Sequence, residues 1–463
     1  MMRKVMRKRI NQLPNLGEKL DIRAIPVLSP SDYQSRVTRI QDRMGSYTHL
    51  VVYGDREHFS NMEYFTGFDP RFEEALLVIP RKGIPSIIVG NEGDIYSDMI
   101  GYEINKYVYT PFSLPGQPRH PAHSLESILK EIGLGESSHV GLIGWKVFSL
   151  EDGVNPETTY DFPFFIMESL LKIVPLSNIS NAIELMVGLD AGARITLGTK
   201  ELLLSEIAGT LSSRNTYQVI KNLREGMTEI EASQHLNISG IPLSVHPNVN
   251  FGKNLTYGLA SPQAGTKLKY GDVVGIGMAY RRTLIHKVGY YIDNPEDEPA
   301  ERKEFYDIYF RSIAAWYETL RIGVSGGEMY DAVKEQMGEL AAFGVSLNPG
   351  HLIHTDEWTN TPFQPNCKSI MRSGMMIQCD FTAARAEENL IAHAEDGVVL
   401  ADAKMRDDIA ASSPAAWRRI QERRAFMQKE LGISLSEDVL PTSDLQGVIF
   451  PYMGDLNTVL SFE

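Results

Sequence analysis

Cysteine is nearly absent from this 463-residue chain, which holds only Cys367 and Cys379. That excludes a disulfide framework, and no CxxC pair is available for a metal knuckle. Positive charge is also in deficit, with a formal net charge of −14. Nucleic-acid binding needs a clustered basic face, so that class is set aside. No apolar run approaches the length that spans a bilayer, and no signal-like apolar region follows the basic opening MMRKVMRKRI. The chain therefore reads as cytoplasmic, with neither membrane nor nucleic acid as a partner. A GxGxxG phosphate cradle is missing as well; HVGLIG at 139–144 reads as a strand.

What is present is ample apolar material, 43% of the residues, in a chain too long for one ordinary domain. Two domains are expected, residues 1–180 and 181–463. In the first, THLVVY (48–53), ALLVI (75–79) and SIIV (86–89) are short β-branched runs and predict strands of an α/β domain. The segment 111–123 is rich in proline and histidine and predicts a loop. His120 and His123 lack a carboxylate or thiol companion there, which favours loop polarity over a metal site.

The second half contains a repeat. REGMTEIEASQHL (224–236) and RIGVSGGEMYDAV (321–333) each place a hydroxyl three residues before a glutamate, Thr228 with Glu231 and Ser325 with Glu328. This is the capping box, in which the two side chains satisfy free amides at a helix start. Each helix is followed by a glycine-led strand start, Gly271-Asp272 and Gly374-Met375. Two copies of one helix-then-strand unit imply a pseudo-twofold domain with a curved antiparallel sheet and a site at the junction. Residues 301–320 carry Phe305, Ile308, Tyr309, Ile313, Trp316 and Leu320 at helical spacing, a core-facing stripe. The helix from residue 414 has arginine and glutamate spaced as on a solvated face.

Four segments, LKYGDVVGIGMAYRRTLIHKVGYY (268–291), PGHLIHTDEW (349–358), RSGMMIQCDFT (372–382) and IAHAEDGVVLAD (391–402), resemble in order and spacing the catalytic half of peptidase family M24. This is the pita-bread superfamily of creatinase, prolidase and aminopeptidases. The resemblance runs from about residue 30 to about residue 402 and implies an α/β amino-terminal domain, a pita-bread carboxy-terminal domain and a homodimer. Its metal-binding members carry two aspartates, then His, Glu and Glu. The first aspartate position falls on Gly277, the second near Lys287 or Val288, and the others on His351, Asp380 and Glu395.

A metal pair needs bridging carboxylates to hold two cations together, so a dinuclear site is not expected. One divalent transition-metal ion could use His351, Asp380 and Glu395, with His286 as a fourth ligand. The metal-free creatinase branch instead uses one histidine, whose position falls here on Leu259 or Ala260. The reading that follows is a hydrolase or lyase of a small polar, nitrogen-containing compound. In it His286 and His351 act as acid and base, and Asp380 and Glu395 hold a positive group or orient an imidazole. Two carboxylates would raise the imidazole pKa values toward working pH. His246 could project toward the same pocket, and His354 with Asp356 and Glu357 would shape its rim. Arg71 stands where creatinases place an arginine for a substrate carboxylate, unless it simply pairs with Glu73 or Glu74. Two other readings stay open: a one-metal Xaa-Pro aminopeptidase-like enzyme, and an inert domain of this fold that binds peptide or protein.

Overall fold

The computed structural model describes residues 3–119 and 123–463, so His120 lies outside the described residues. Two compact units emerge, Val27–Arg194 and a second that joins Met1–Pro26 to Ile195–Glu463. The boundary expected after residue 180 thus falls after residue 194, and the first residues belong with the carboxy-terminal unit. The reason is backbone pairing at the chain's opening: β1 (Val5–Arg9) binds antiparallel to a strand near residue 460.

In the Val27–Arg194 unit, β2 (His49–Gly54), β3 (Ala75–Pro80), β4 (Ser86–Val89), β5 (Asn105–Val108), β6 (Val140–Ile143) and β7 (Ile179–Asn181) form one mixed sheet. Its order is β5-β4-β3-β2-β6-β7. Helices cover both faces, so Leu50 and Val52 enter one core while Val51 and Tyr53 enter another. That is why these strands read as unbroken apolar runs.

The other unit is built on β8 (Leu243–Phe251), β9 (Val273–Tyr280), β10 (Ile285–Tyr290), β11 (His351–Leu352), β12 (Met376–Cys379), β13 (Ala383–Arg385), β14 (Leu390–Ala392), β15 (Ala394–Leu400), β16 (Val439–Pro441) and β17 (Thr458–Phe462). The main sheet runs β11-β12-β15-β10-β9-β8, antiparallel throughout, with β16 added on β15.

The repeat read from the sequence is present in the backbone. Both capping boxes form, Thr228 with Glu231 and Ser325 with Glu328. The matching glycines Gly271 and Gly374 adopt the same left-handed conformation, φ 88° and 90°. Only glycine takes that turn without steric cost. Bridges Thr228–Lys267 and Ser325–Ile370 tie each box to the strand start that follows it.

The helix Ala300–Thr319 packs its tyrosines against the strands that carry the site. The Tyr309 hydroxyl donates to the Phe381 carbonyl and accepts from the Ala394 amide, both at 3.0 Å. It therefore fixes the neighbours of Asp380 and Glu395 at once. Among the described residues no helix is long and apolar enough to cross a membrane.

The tail departs from expectation. In the helix Pro414–Phe426 the arginines at 419 and 423 are buried, not solvated. Glu206 accepts from Arg419 Nε at 2.9 Å and Arg423 Nη1 at 2.7 Å, and Asp444 accepts from Arg423 Nε at 2.8 Å and Arg214 Nε at 2.9 Å. Helical arginine spacing fits a solvated face and a buried network equally well, because the partners come from remote sequence. Arg423→Met should lower the free energy of urea unfolding by about 3 kcal/mol, the low end for a broken buried pair, since each carboxylate keeps a second arginine. A change below about 0.5 kcal/mol, the level of ordinary surface substitutions, would show that this network does not anchor the tail.

Candidate functional site

Strand register sets out the site. Across the sheet, Asn248 on β8 faces Gly277 on β9, which faces His286 on β10, which faces Glu395 on β15. Successive strand residues point to opposite faces, so Lys287 projects to the reverse side. There its Nζ binds Asp396 Oδ2 at 2.5 Å, and the Gly447 amide donates to the same oxygen at 2.9 Å. The residue paired with Gly277 is therefore His286, not Lys287 or Val288. The tight β9–β10 turn decides this, through a register that sequence spacing leaves open.

The His286 imidazole lies over two glycines of β9. A Cβ added at Gly277 would stand 2.6 Å from His286 Cδ2, and one at Gly275 would stand 3.2 Å from Nε2. Contacts under about 3 Å between such atoms are not sustained, so a side chain at 277 and this ring exclude each other.

A histidine that the sequence reading passed over links the parts. His393 Nε2 lies 2.8 Å from Asp380 Oδ1, and His393 Nδ1 lies 2.6 Å from His286 Nδ1. The Asp380 carboxylate can only accept, so His393 donates from Nε2, and in the singly protonated ring its Nδ1 is a lone pair. His286 must then donate from Nδ1, which leaves its Nε2 as a lone pair. His393 stands two residues before Glu395 on an alternating segment, and that spacing would have placed it on the same face.

Burial, the largest cause, holds the His286 imidazole well below its usual pKa, with the nearby His393 and Lys287 adding to it against a weaker pull from Asp380. It is neutral, contrary to the raised value expected for both imidazoles. His351 behaves as expected. Burial opposes its charge, but Glu357 and Asp380 override it and raise its pKa well above the ordinary value. Its Nε2 lies 3.1 Å from Glu357 Oε1 and 3.6 Å from Asp380 Oδ2, and its Nδ1 lies 3.2 Å from the Leu352 carbonyl. The ring also stacks on Trp358, centroids 4.0 Å apart. Glu357, expected at the rim, is thus a direct partner of His351.

Burial would raise the Asp380 pKa, but His351 and His393 hold it far below the usual range. Burial and then the charge of Asp380 push Glu395 well above its usual value. Gln378 Nε2 donates to Glu395 Oε1 at 3.0 Å.

His351, Asp380 and Glu395 offer donor atoms within 4.8 Å of one another, a group of three that could hold a cation. His286 is not in that group and reaches it only through His393. His246 is exposed in a bulged part of β8 with Nε2 3.0 Å from the Leu259 carbonyl, and the structure does not bring it to the centre. His354 is buried, with Nε2 3.3 Å from Glu201 Oε1 and Nδ1 3.0 Å from Thr355 Oγ1. Arg71, in the other unit, pairs with Asp69 at 3.1 Å and not with Glu73 or Glu74.

Residues 204–402, which carry this centre, match the family model described as metallopeptidase family M24. The match spans 199 of the 463 residues and marks this segment as similar to family M24. Solved structures agree in fold. A Xaa-Pro dipeptidase from Bacillus anthracis aligns at TM-score 0.60 with 13% identity, covering 81% of this chain and 96% of its own. A recombinant prolidase from Thermococcus sibiricus aligns at 0.62 with 17% identity, covering 80% and 95%. The His243Ala form of Escherichia coli aminopeptidase P aligns at 0.57 with 15% identity, covering 84% and 99%. No curated protein matches the chain. The match relates this segment to a family of metallopeptidases, and the solved structures share its fold.

The metal pair of the M24 metallopeptidases does not fit these residues. Gly277 offers no donor, and its space is taken by the His286 ring. The donor set left for a single ion is His351, Asp380 and Glu395, which as three ligands with an open position suits a catalytic ion.

Proposed function

We propose that this protein hydrolyses a C–N bond in a small, polar, nitrogen-containing compound by acid–base chemistry that needs no metal pair. The observation that carries this reading is the opposed setting of two imidazoles, His286 held neutral and His351 held cationic. Environments that drive two titratable groups apart mark out a base and an acid. His286 Nε2 takes a proton from water, whose oxygen attacks the carbon of the scissile bond. His351 gives a proton to the departing nitrogen as that bond breaks. His393 and Asp380 fix the His286 tautomer and stabilise the positive charge that forms on it. Keeping this many buried ionisable groups would cost an inert pocket several kcal/mol, which weighs against a purely binding role.

A second reading rests on the compact group His351, Asp380 and Glu395: a one-metal peptidase of the Xaa-Pro type. A bound ion would polarise the scissile carbonyl and acidify its water. Elemental analysis together with turnover of a panel of small amides, guanidines and Xaa-Pro dipeptides separates the two. On the first reading, turnover survives chelation, and His286→Ala and His351→Ala each lower kcat/KM at least ~100-fold. A stoichiometric transition metal lost together with activity would instead establish the second reading. Unchanged turnover in both alanine variants would end the acid–base scheme.

A further inference from the structure

One side of the His286 imidazole is closed by Leu255, a residue from outside the strands. It lies in the turn Gly252–Tyr257, which follows β8, and is buried at 7% exposure. A Cβ added at Gly275 would stand 2.4 Å from Leu255 Cδ1 and 3.2 Å from His286 Nε2, so methyl and ring nitrogen flank one point over β9. On the other side, Asn248 Cβ stands 3.3 Å from the corresponding point at Gly277. His286 keeps only 9% of its surface exposed. The glycines of β9 thus clear a floor for the ring, and Leu255 bounds the room left at Nε2.

A wall discriminates by size only if it does not give way, and this one is tied down at both ends. Glu229, in the helix Glu229–Ser233, is fully buried. Its Oε1 accepts from the Phe251 amide at 2.6 Å, and its Oε2 accepts from Asn254 Nδ2 at 2.7 Å and the Gln263 amide at 2.8 Å. Asn254 Oδ1 accepts in turn from Gln263 Nε2 at 3.0 Å, and Asn250 Nδ2 donates to the Ala260 carbonyl at 2.9 Å. One carboxylate therefore fastens both the entry and the exit of the segment that carries Leu255.

We propose that Leu255 is a specificity-determining residue, which limits the bulk that can stand beside His286 Nε2 and so requires a compact substituent on the carbon attacked there. Glu229 is a positioning residue that holds Leu255 in place. The role of this limit in turnover rests on the acid–base reading, while access to Nε2 is measurable without turnover.

Two acylating reagents that differ in bulk, diethyl pyrocarbonate and di-tert-butyl dicarbonate, measure that access on the full chain, with each product mapped to single histidines by peptide mass spectrometry. His286 directs Nδ1 at His393, so Nε2 is the nitrogen open to acylation. The exposed His139, in the other unit, supplies the reference rate for each reagent. Relative to His139, the bulky reagent should label His286 of the parent at least ~10-fold less than the small one. Leu255→Ala should remove most of that discrimination, and Glu229→Gln should reduce it with Leu255 still present. Because loss of a buried leucine can unfold a protein, Leu255→Val should give an intermediate ratio and Leu255→Met, similar in volume, the parent's. Among amides that the enzyme turns over, Leu255→Ala should raise kcat/KM for 2,2-dimethylpropanamide relative to acetamide. A failed acid–base scheme would show as unchanged turnover in His286→Ala, with the labelling ratios intact. Equal labelling of His286 by both reagents in the parent, a ratio indifferent to both Leu255→Ala and Leu255→Val, or no labelling of His286 in any variant would each overturn the size limit.

Discussion

Gly277→Asp, made alone, will destabilise the protein even though it restores a carboxylate at the first aspartate position of the metal-binding members. The new Cβ would meet His286 Cδ2 at 2.6 Å, in a part of the sheet where every neighbour is buried. Overpacking of that kind costs ~1–3 kcal/mol. The carboxylate itself would enter a region already holding Asp380 and Glu395, which adds the penalty of an uncompensated buried charge. Coupling the change to His286→Asp should reverse the outcome, because the clash disappears and two carboxylates face each other across β9 and β10. The measurable result is metal stoichiometry by elemental analysis after dialysis: at most one ion per chain in the parent, two in the double variant. If Gly277→Asp proved as stable as the parent, or bound two ions with His286 in place, the exclusion between ring and carboxylate would be disproved.

Lys287→Met will be among the most damaging single substitutions on the reverse face of the same sheet. Among the described residues Lys287 is the only cation paired with Asp396, the two are fully buried, and the carboxylate's other contacts are the Gly447 amide and the Ser443 side chain. Removing one partner of such a pair costs ~3–5 kcal/mol, and with no second cation the upper end is expected. Lys287→Met/Asp396→Asn should recover most of the loss, because the asparagine keeps an acceptor for Gly447 and leaves no charge behind. Urea unfolding of the three proteins measures both quantities. A single variant that loses less than about 1 kcal/mol would mean water reaches Asp396.

These two residues show how far the sequence could be read. The apolar runs of β2 to β4, the paired capping boxes and the glycine-led strand starts are local signatures, and local physics produced them. The assembly of His351, Asp380 and Glu395 was legible too, because four segments resemble the catalytic half of family M24 and the resemblance implies those positions. The direction of Lys287 was not, since facing depends on strand register and a one-residue shift reverses every side chain. His393 was hidden for a different reason. It matters through contacts to His286 and Asp380, 107 and 13 residues away, and only the alternation leading to Glu395 hinted at it. Arg419 and Arg423 escaped because an arginine pattern does not announce whether its partners are water or remote carboxylates.

The pairing of β1 with β17 sets an order of assembly. Val5 lies opposite Phe462, so this strand has no partner until the chain as far as Phe462 has been synthesised. At the usual pace of translation that wait is roughly 20–90 s. During it the strand is an open edge of the kind that recruits other chains. Its sequence, VMRKR, is dense in positive charge, and lone strands so charged repel their copies. The basic opening thus acts in time as well as in space: it keeps an early strand solitary until its own chain can close on it.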